Sequence, residues 1–263
     1  MDLRDIISTT TDYNFHTHTQ YCDGRAPIDE MAAAAVAAGM RHVGFTPHSP
    51  IPFASPCNMS RQSVDDYVAD VLALKDRYEG QCNFYSGMEL DYLSGVEAEK
   101  FPQLDFTISS VHFIRSQQGD FVDIDGRYEA FKRKMAEHFH DDIRYVVEEY
   151  YRSSHEMLAK GGFDILGHFD KISLNGSYYQ PDLEQQTWYQ RLVDDYIDDI
   201  IASGVIVEIN TKSRTEHGRF FPHDRYWKRL KEAGVVMPVN SDAHYPDRIT
   251  ASRAEALDIL ARL

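Results

Sequence analysis

Three observations on this chain of 263 residues predict an α/β fold. Short β-prone runs alternate with helical patterns along most of its length, turn residues follow those runs, and metal-preferring side chains recur where the runs end. Six histidines and three carboxylates occupy these ends, in Phe15-His16-Thr17-His18, Tyr21-Cys22-Asp23-Gly24, Thr46-Pro47-His48, Gly87-Met88-Glu89, Ser110-Val111-His112, Gly167-His168 and Asn240-Ser241-Asp242-Ala243-His244. A polar, ligating side chain at one strand end after another describes a single site assembled from the whole chain.

The elements follow in order. A strand over residues 13–16 leads to an Ala-rich helix over about 28–38 that Gly39 ends, and then to a strand over 42–45. Val64, Tyr67, Val68, Val71, Leu72 and Leu74 recur at helical spacing and predict a helix over about 63–79, followed by strands near 83–88 and 106–110. A long polar-faced helical region, about 127–160, precedes a strand over 163–166. Beyond Asp182 a helix runs to about residue 202, then come a strand over 205–209, a helix near 223–233, a strand over 235–239 and a closing helix from about 251. Seven strands with intervening helices imply a parallel sheet, and closing it into a barrel would bring all seven C-terminal strand ends to one rim, where rigid termini and loops carry chemistry.

Composition narrows the function. No Pro/Gly/Ser-rich linker divides the chain, so residues 1–263 are expected to form a single domain. The formal net charge of −15, with Lys and Arg scattered rather than striped, argues against a nucleic-acid scaffold and favours a small substrate. Cys22, Cys57 and Cys82 are too few and too irregular for a disulfide framework and fit a reducing cytoplasm. The start of the sequence has no signal-peptide layout, and the longest apolar stretch, 31–38, is far shorter than a bilayer span, so a cytoplasmic protein without membrane partners is expected.

The candidate ligands each have a bland alternative. His16 and His18, two apart, fall on one face of a strand and reach one ion; alone, such a pair is as often mere decoration. Asp242 and His244 repeat that logic at the far end of the chain. Glu89 follows an apolar run, where an uncompensated carboxylate would be costly, and suits a bridging ligand. His48 is held in a stiff turn between Pro47 and Ser49-Pro50. His112 and His168 could each be a satisfied core histidine, and Asp23, in a Cys-Asp-Gly turn, could simply bond its own backbone. Together they change the balance. His42, His138, His140, His155 and His223 do not share the strand-end placement and are expected to be solvated, whereas His217 lies in a polar loop after the sixth strand, near the same rim.

With these residues in view, the chain resembles the PHP (polymerase and histidinol phosphatase) superfamily and, through Thr46-Pro47-His48-Ser49-Pro50 and Ser110-Val111-His112-Phe113-Ile114, its monofunctional histidinol-phosphatase branch. The likeness runs from His16-Thr17-His18-Thr19 through Gly87-Met88-Glu89 and Gly167-His168-Phe169-Asp170 to Asn240-Ser241-Asp242-Ala243-His244. It implies a distorted seven-stranded (β/α)7 TIM-like barrel and hydrolysis of L-histidinol phosphate to L-histidinol and phosphate. It also implies three divalent metal ions. His16, His18, Glu89 and Asp242 would hold the first, Glu89, His112 and His168 the second, and Asp23, His48 and His244 the third, with Glu89, Asp242 and His244 at the catalytic centre.

Imidazole and carboxylate donors suit Zn, Fe or Mn without choosing among them. Such ions lower the pKa of a bridging water from about 16 toward about 7, so that hydroxide can attack phosphorus in line without a covalent phosphoenzyme. Asn210-Thr211-Lys212-Ser213-Arg214 looks like the family's arginine-bearing substrate loop, which makes Arg214 the expected phosphate clamp. Arg115, Lys171, His217 and, more remotely, Arg25 are further substrate-binding candidates, and the loop around Tyr178-Tyr179 suits the amine and imidazole of the substrate. Competing readings are a PHP phosphoesterase for another phosphomonoester or for nucleotide ends, an amidohydrolase, against which Glu89 in the bridging position speaks, and a non-enzymatic metal-binding module.

Overall fold

The computed structural model describes residues 2–95 and 97–263. Strands β1 (Tyr13–Asn14), β2 (His42–Phe45) and β3 (Asn83–Ser86) form one parallel ladder. Strands β4 (Glu89–Asp91) and β5 (Ile108–Ser110) begin a second, interrupted in sequence by an antiparallel hairpin of β6 (Phe113–Arg115) and β7 (Phe121–Asp123) and completed by β8 (Ile165–Leu166) and β9 (Ile206–Val207). Strands β10 (Ile209–Asn210) and β11 (Val239–Asn240) pair in parallel as a third.

Among the described residues these ladders do not join into one continuous hydrogen-bonded sheet. Isolated parallel bridges at His48↔Glu89 and Thr17↔Ala243 span two of the gaps, and Glu208 alone separates β9 from β10. The chain is therefore α/β with every ladder pairing parallel except the β6–β7 hairpin.

Helices α1 (Leu3–Thr9), α2 (Ile28–Ala37), α3 (Ser63–Arg77), α4 (Tyr128–His138), α5 (Ile143–Lys160), α6 (Ile172–Tyr179), α7 (Thr187–Ser203), α8 (Arg214–His217), α9 (Trp227–Glu232) and α10 (Arg253–Arg262) complete the fold. The helical region predicted over 127–160 is two helices, because His140 and Asp141 take left-handed backbone angles and Asp142 then caps α5 by accepting from the Tyr145 amide. Tyr178 and Tyr179 end a helix rather than occupying a loop. In the run 235–239 only Val239 enters β11, since the Val235 amide bonds back to Leu230 and closes α9, although the Val236 and Pro238 carbonyls accept from the Val207 and Ile209 amides at 3.0 and 2.8 Å.

Three apolar clusters support the strand ends. The largest packs α5, α7 and α9 against the C-terminal strands through Tyr150, Tyr196, Ile197 and Trp227, and a second packs α2 and α3 against β2 and β3 through Met31, Tyr67 and Val71. The third joins Leu3 of α1 to Tyr13, Phe15, Phe106 and Ile165. No helix among the described residues is long and apolar enough to cross a membrane.

Candidate metal centre

Strand termini deliver the donors to one place. His16 and His18 follow β1, and their Nε2 atoms stand 3.1 Å apart. Asp242, two residues past β11 and in a left-handed conformation, turns Oδ1 to within 3.1 Å of His18 Nε2 and 3.8 Å of His16 Nε2. Glu89, the first residue of β4, is central: Oε2 lies 3.0 Å from His48 Nδ1 and 3.2 Å from His16 Nε2, and Oε1 lies 2.9 Å from His168 Nε2 and 3.3 Å from His112 Nε2. Asp23 Oδ1 reaches His244 Nε2 at 3.2 Å, His18 Nδ1 at 3.6 Å and His48 Nε2 at 3.7 Å. The Asp23 turn depends on Gly24, where a Cβ would stand 2.3 Å from the Thr19 backbone nitrogen.

All nine expected ligands are brought together. Donor atoms within 4.8 Å of one another form the sets His16-His18-Asp242, His18-Asp23-His48-His244 and His48-Glu89-His112. His18 and His48 are thus each shared between two sets, and His168 joins through Glu89.

A cluster of divalent ions fits this donor set. Imidazole nitrogens face one another and the carboxylates at 2.9–3.8 Å, and the buried atoms Asp23 Oδ1 and His112 Nε2, which face other donors, have no hydrogen-bond partner, as expected of lone pairs that converge on a cation. No thiolate intrudes. Cys22 Sγ is 3.3 Å from His18 Nδ1, but burial and the neighbouring Asp23 push its thiol up to about 12.

The electrostatics divide the donors: burial opposes a charge on His16 and His112, yet Glu208 and Glu89 raise the first well above its usual value and Glu89 and Asp91 raise the second to about 10, protons that a cation would displace. Burial opposes ionisation of Glu89, yet His16, His112 and His48 hold its carboxyl well below the usual range; burial likewise opposes Asp242, which Lys212 and His16 hold down. Burial, then His244 and His48, keep His18 neutral, which leaves one of its ring nitrogens free to ligate. Burial and then Lys212 depress His244, and burial and then Lys171 depress His168.

A ring of buried partners that sequence reasoning missed orients the donors. Glu208, between β9 and β10, accepts from His16 Nδ1 at 2.7 Å, from the His168 amide at 3.2 Å and from the side-chain amides of Asn210 and Asn240, each at 3.1 Å. Asp91 accepts from the His112 amide at 2.8 Å and lies 3.3 Å from its Nδ1. Ser110 Oγ donates to Glu89 Oε1 at 2.8 Å. A carboxylate within the apolar run 205–209 was the available signal for Glu208.

Asp23, His48, His112, Asp242 and His244 open onto a cavity of about 1230 Å³. Lys171 and His217 line it, Lys171 paired with Asp125 at 2.6 Å and His217 bonded to Tyr178 Oη at 3.1 Å. Arg214 and Arg115 are not brought to its wall. The Arg214 guanidinium bonds Glu255 at 3.0 Å and covers the Phe220 ring, and Arg115 lies over Phe121. Arg25 is exposed and meets the site only through its amide, which donates to the His244 carbonyl at 2.8 Å. Lys212 is the cation that the loop after β10 presents to the cavity. Of the other histidines, His138 also lines the cavity, while His42 bonds Tyr85 and His155 bonds Asp199 away from it.

Parallel strands whose C-terminal ends converge on imidazole and carboxylate donors define a class of metal-binding α/β protein. The model of the PHP domain matches residues 14–212, and the chain belongs to that family. A Deinococcus radiodurans protein named probable histidinol-phosphatase is 25% identical over 92% of this chain and 90% of its own, and the Bacillus subtilis histidinol-phosphatase is 26% identical over 87% and 92%. Among solved structures, a Listeria monocytogenes protein assigned as a histidinol phosphatase superimposes with a TM-score of 0.81 at 18% identity, covering 92% of this chain and 99% of its own. The Lactococcus lactis histidinol phosphate phosphatase, crystallised with Zn, L-histidinol and phosphate, gives 0.65 at 16% identity, covering 96% and 93%.

Proposed function

We propose that this chain is a metal-dependent phosphomonoesterase that hydrolyses L-histidinol phosphate to L-histidinol and phosphate. The observation that carries the reading is the approach of six imidazoles and three carboxylates at 2.9–3.8 Å, five of which, Asp23, His48, His112, Asp242 and His244, line one large cavity. Support for the substrate comes from the curated relatives, which are named histidinol-phosphatases and align over about nine-tenths of the chain. In this reading the three donor sets hold three divalent ions, and the parallel ladders are arcs of one distorted seven-stranded barrel in a single domain, a closure favoured by the bridges at Thr17–Ala243 and His48–Glu89.

When bound, such ions neutralise phosphoryl oxygens and acidify an attacking water. The residues of the chain do the rest. Glu89 and Asp242 hold the donors together, Glu208 and Asp91 hold the rings of His16 and His112 in place, and Glu216 on the cavity wall suits an ammonium group of the substrate.

Elemental analysis of the purified protein, run beside phosphate release from L-histidinol phosphate, a sugar phosphate, a nucleoside monophosphate and an aryl phosphate, tests the proposal. Bound transition metal and a kcat/KM for L-histidinol phosphate at least about 100-fold above the others are expected. Preference for another monoester would move the substrate, and absence of hydrolysis with every metal would remove the phosphatase reading.

A further inference from the structure

We infer that Lys212 is the phosphoryl-gripping residue of this site, a role that rests on the phosphomonoesterase reading. Its ammonium stands 3.2 Å from Asp242 Oδ1 and 3.2 Å from His244 Nε2, closer to the donor cluster than any other cation on the cavity wall brings its charge. Its backbone is fixed from both sides. The Lys212 amide donates to Asn210 Oδ1 at 3.1 Å, and the preceding Thr211 donates through Oγ1 to the Ala251 carbonyl at 2.6 Å and receives support through its own amide on the Asn240 carbonyl at 2.9 Å.

The other cations near the cavity are committed or peripheral. Lys171 is matched by Asp125 at 2.6 Å and Lys134 by Asp123 at 2.9 Å, while Arg127 and Arg248 are exposed at the rim. Arg214, two residues along the same loop, is bonded to Glu255. A monovalent ammonium cannot hold Asp242 and His244 against divalent ions, and once those donors are engaged Lys212 keeps its charge and its three N–H groups without a protein partner, with its side chain 40% exposed to the cavity. The ligand that meets a metal cluster and an adjacent free ammonium together is a phosphate dianion, which supplies oxygens to both.

Titration calorimetry of inorganic phosphate onto the metal-loaded protein, with metal content measured on the same samples, tests the assignment. Lys212→Met is expected to weaken phosphate binding by about ten- to a hundredfold with metal stoichiometry unchanged, and Lys212→Arg to recover a substantial part of it. Unchanged phosphate affinity in Lys212→Met, loss of metal from that variant, or a larger loss of affinity in Arg214→Met than in Lys212→Met would each overturn it. Wild-type protein that hydrolyses no phosphomonoester and binds no phosphate would fell the phosphatase reading itself, whereas wild-type protein that binds phosphate no better than Lys212→Met would fell only the assignment.

Discussion

Glu89 touches five imidazoles and a serine hydroxyl, so no other donor is tied to so many neighbours. Glu89→Gln keeps the shape and removes the charge. It is expected to lower kcat/KM by roughly 10³-fold or more and to release metal, because this carboxylate faces donors of all three sets and its loss leaves their ions undercompensated. Near-normal turnover together with full metal content would contradict its bridging position. Glu208 poses a subtler case, since it never faces the cavity but fixes His16 through Nδ1. Glu208→Gln retains acceptance from Asn210 or Asn240 and weakens the hold on the imidazole, so metal affinity, followed by chelator competition, is expected to fall about 10–100-fold while the protein stays folded. An unchanged affinity would reduce Glu208 to a packing residue. The two glutamates also differ in how well the sequence announced them. Glu89 ends an apolar run beside a glycine, a visible discontinuity, whereas Glu208 lies within a run that reads as ordinary strand and gains its meaning only when β1, β8 and β11 close around it.

At the scale of elements, the alternation of strand and helix was legible because period-2 and period-3.6 patterns are local properties. What was not legible depended on distant partners. Arg214 reads as a phosphate clamp until Glu255, 41 residues later, meets it, and the β6–β7 hairpin was absorbed into the segment after His112 although Phe113, Phe121 and an intervening Gly119 mark it. The junction of β2 and β4 with β5 offers a test. A Cβ on Gly44 would stand 2.5 Å from the buried Phe106 ring, and one on Gly87 2.6 Å from it, so the two glycines make room for a single aromatic side chain. Gly44→Ala is expected to cost about 1–3 kcal/mol of unfolding free energy, measured by urea denaturation. In a Phe106→Leu background the same substitution is expected to cost about 1 kcal/mol less, a coupling that a double-mutant cycle resolves. Additive costs would mean that the backbone of Phe15, 3.3 Å away, and not the ring, sets the limit.

For the whole molecule, the consequence of the site is a stability that depends on its ions. The chain carries a formal charge of −15, and three carboxylates of the donor cluster, with Asp91 and Glu208 behind them, are concentrated at the strand ends that bridge the ladders. Ions that bind this arrangement and not the unfolded chain stabilise it by mass action, about 2.7 kcal/mol for one site at a free concentration 100-fold above its Kd. At about 2–4 °C per kcal/mol for a chain of this size, stripping one such site lowers Tm by roughly 5–11 °C. Calorimetric scans before and after chelation, with elemental analysis of both samples, are expected to show this drop, its reversal when the metal is restored, and a Tm that climbs with free metal concentration. The same ladders that carry His48, Glu89, Thr17 and Ala243 should lose protection from amide hydrogen exchange on chelation, because the bridges linking them are made by the donor segments themselves. A Tm that stays fixed after the ions have demonstrably left would mean that the network of Glu208, Asn210, Asn240 and Asp91 holds the strand ends unaided, and that the ions bind a scaffold whose stability they do not share.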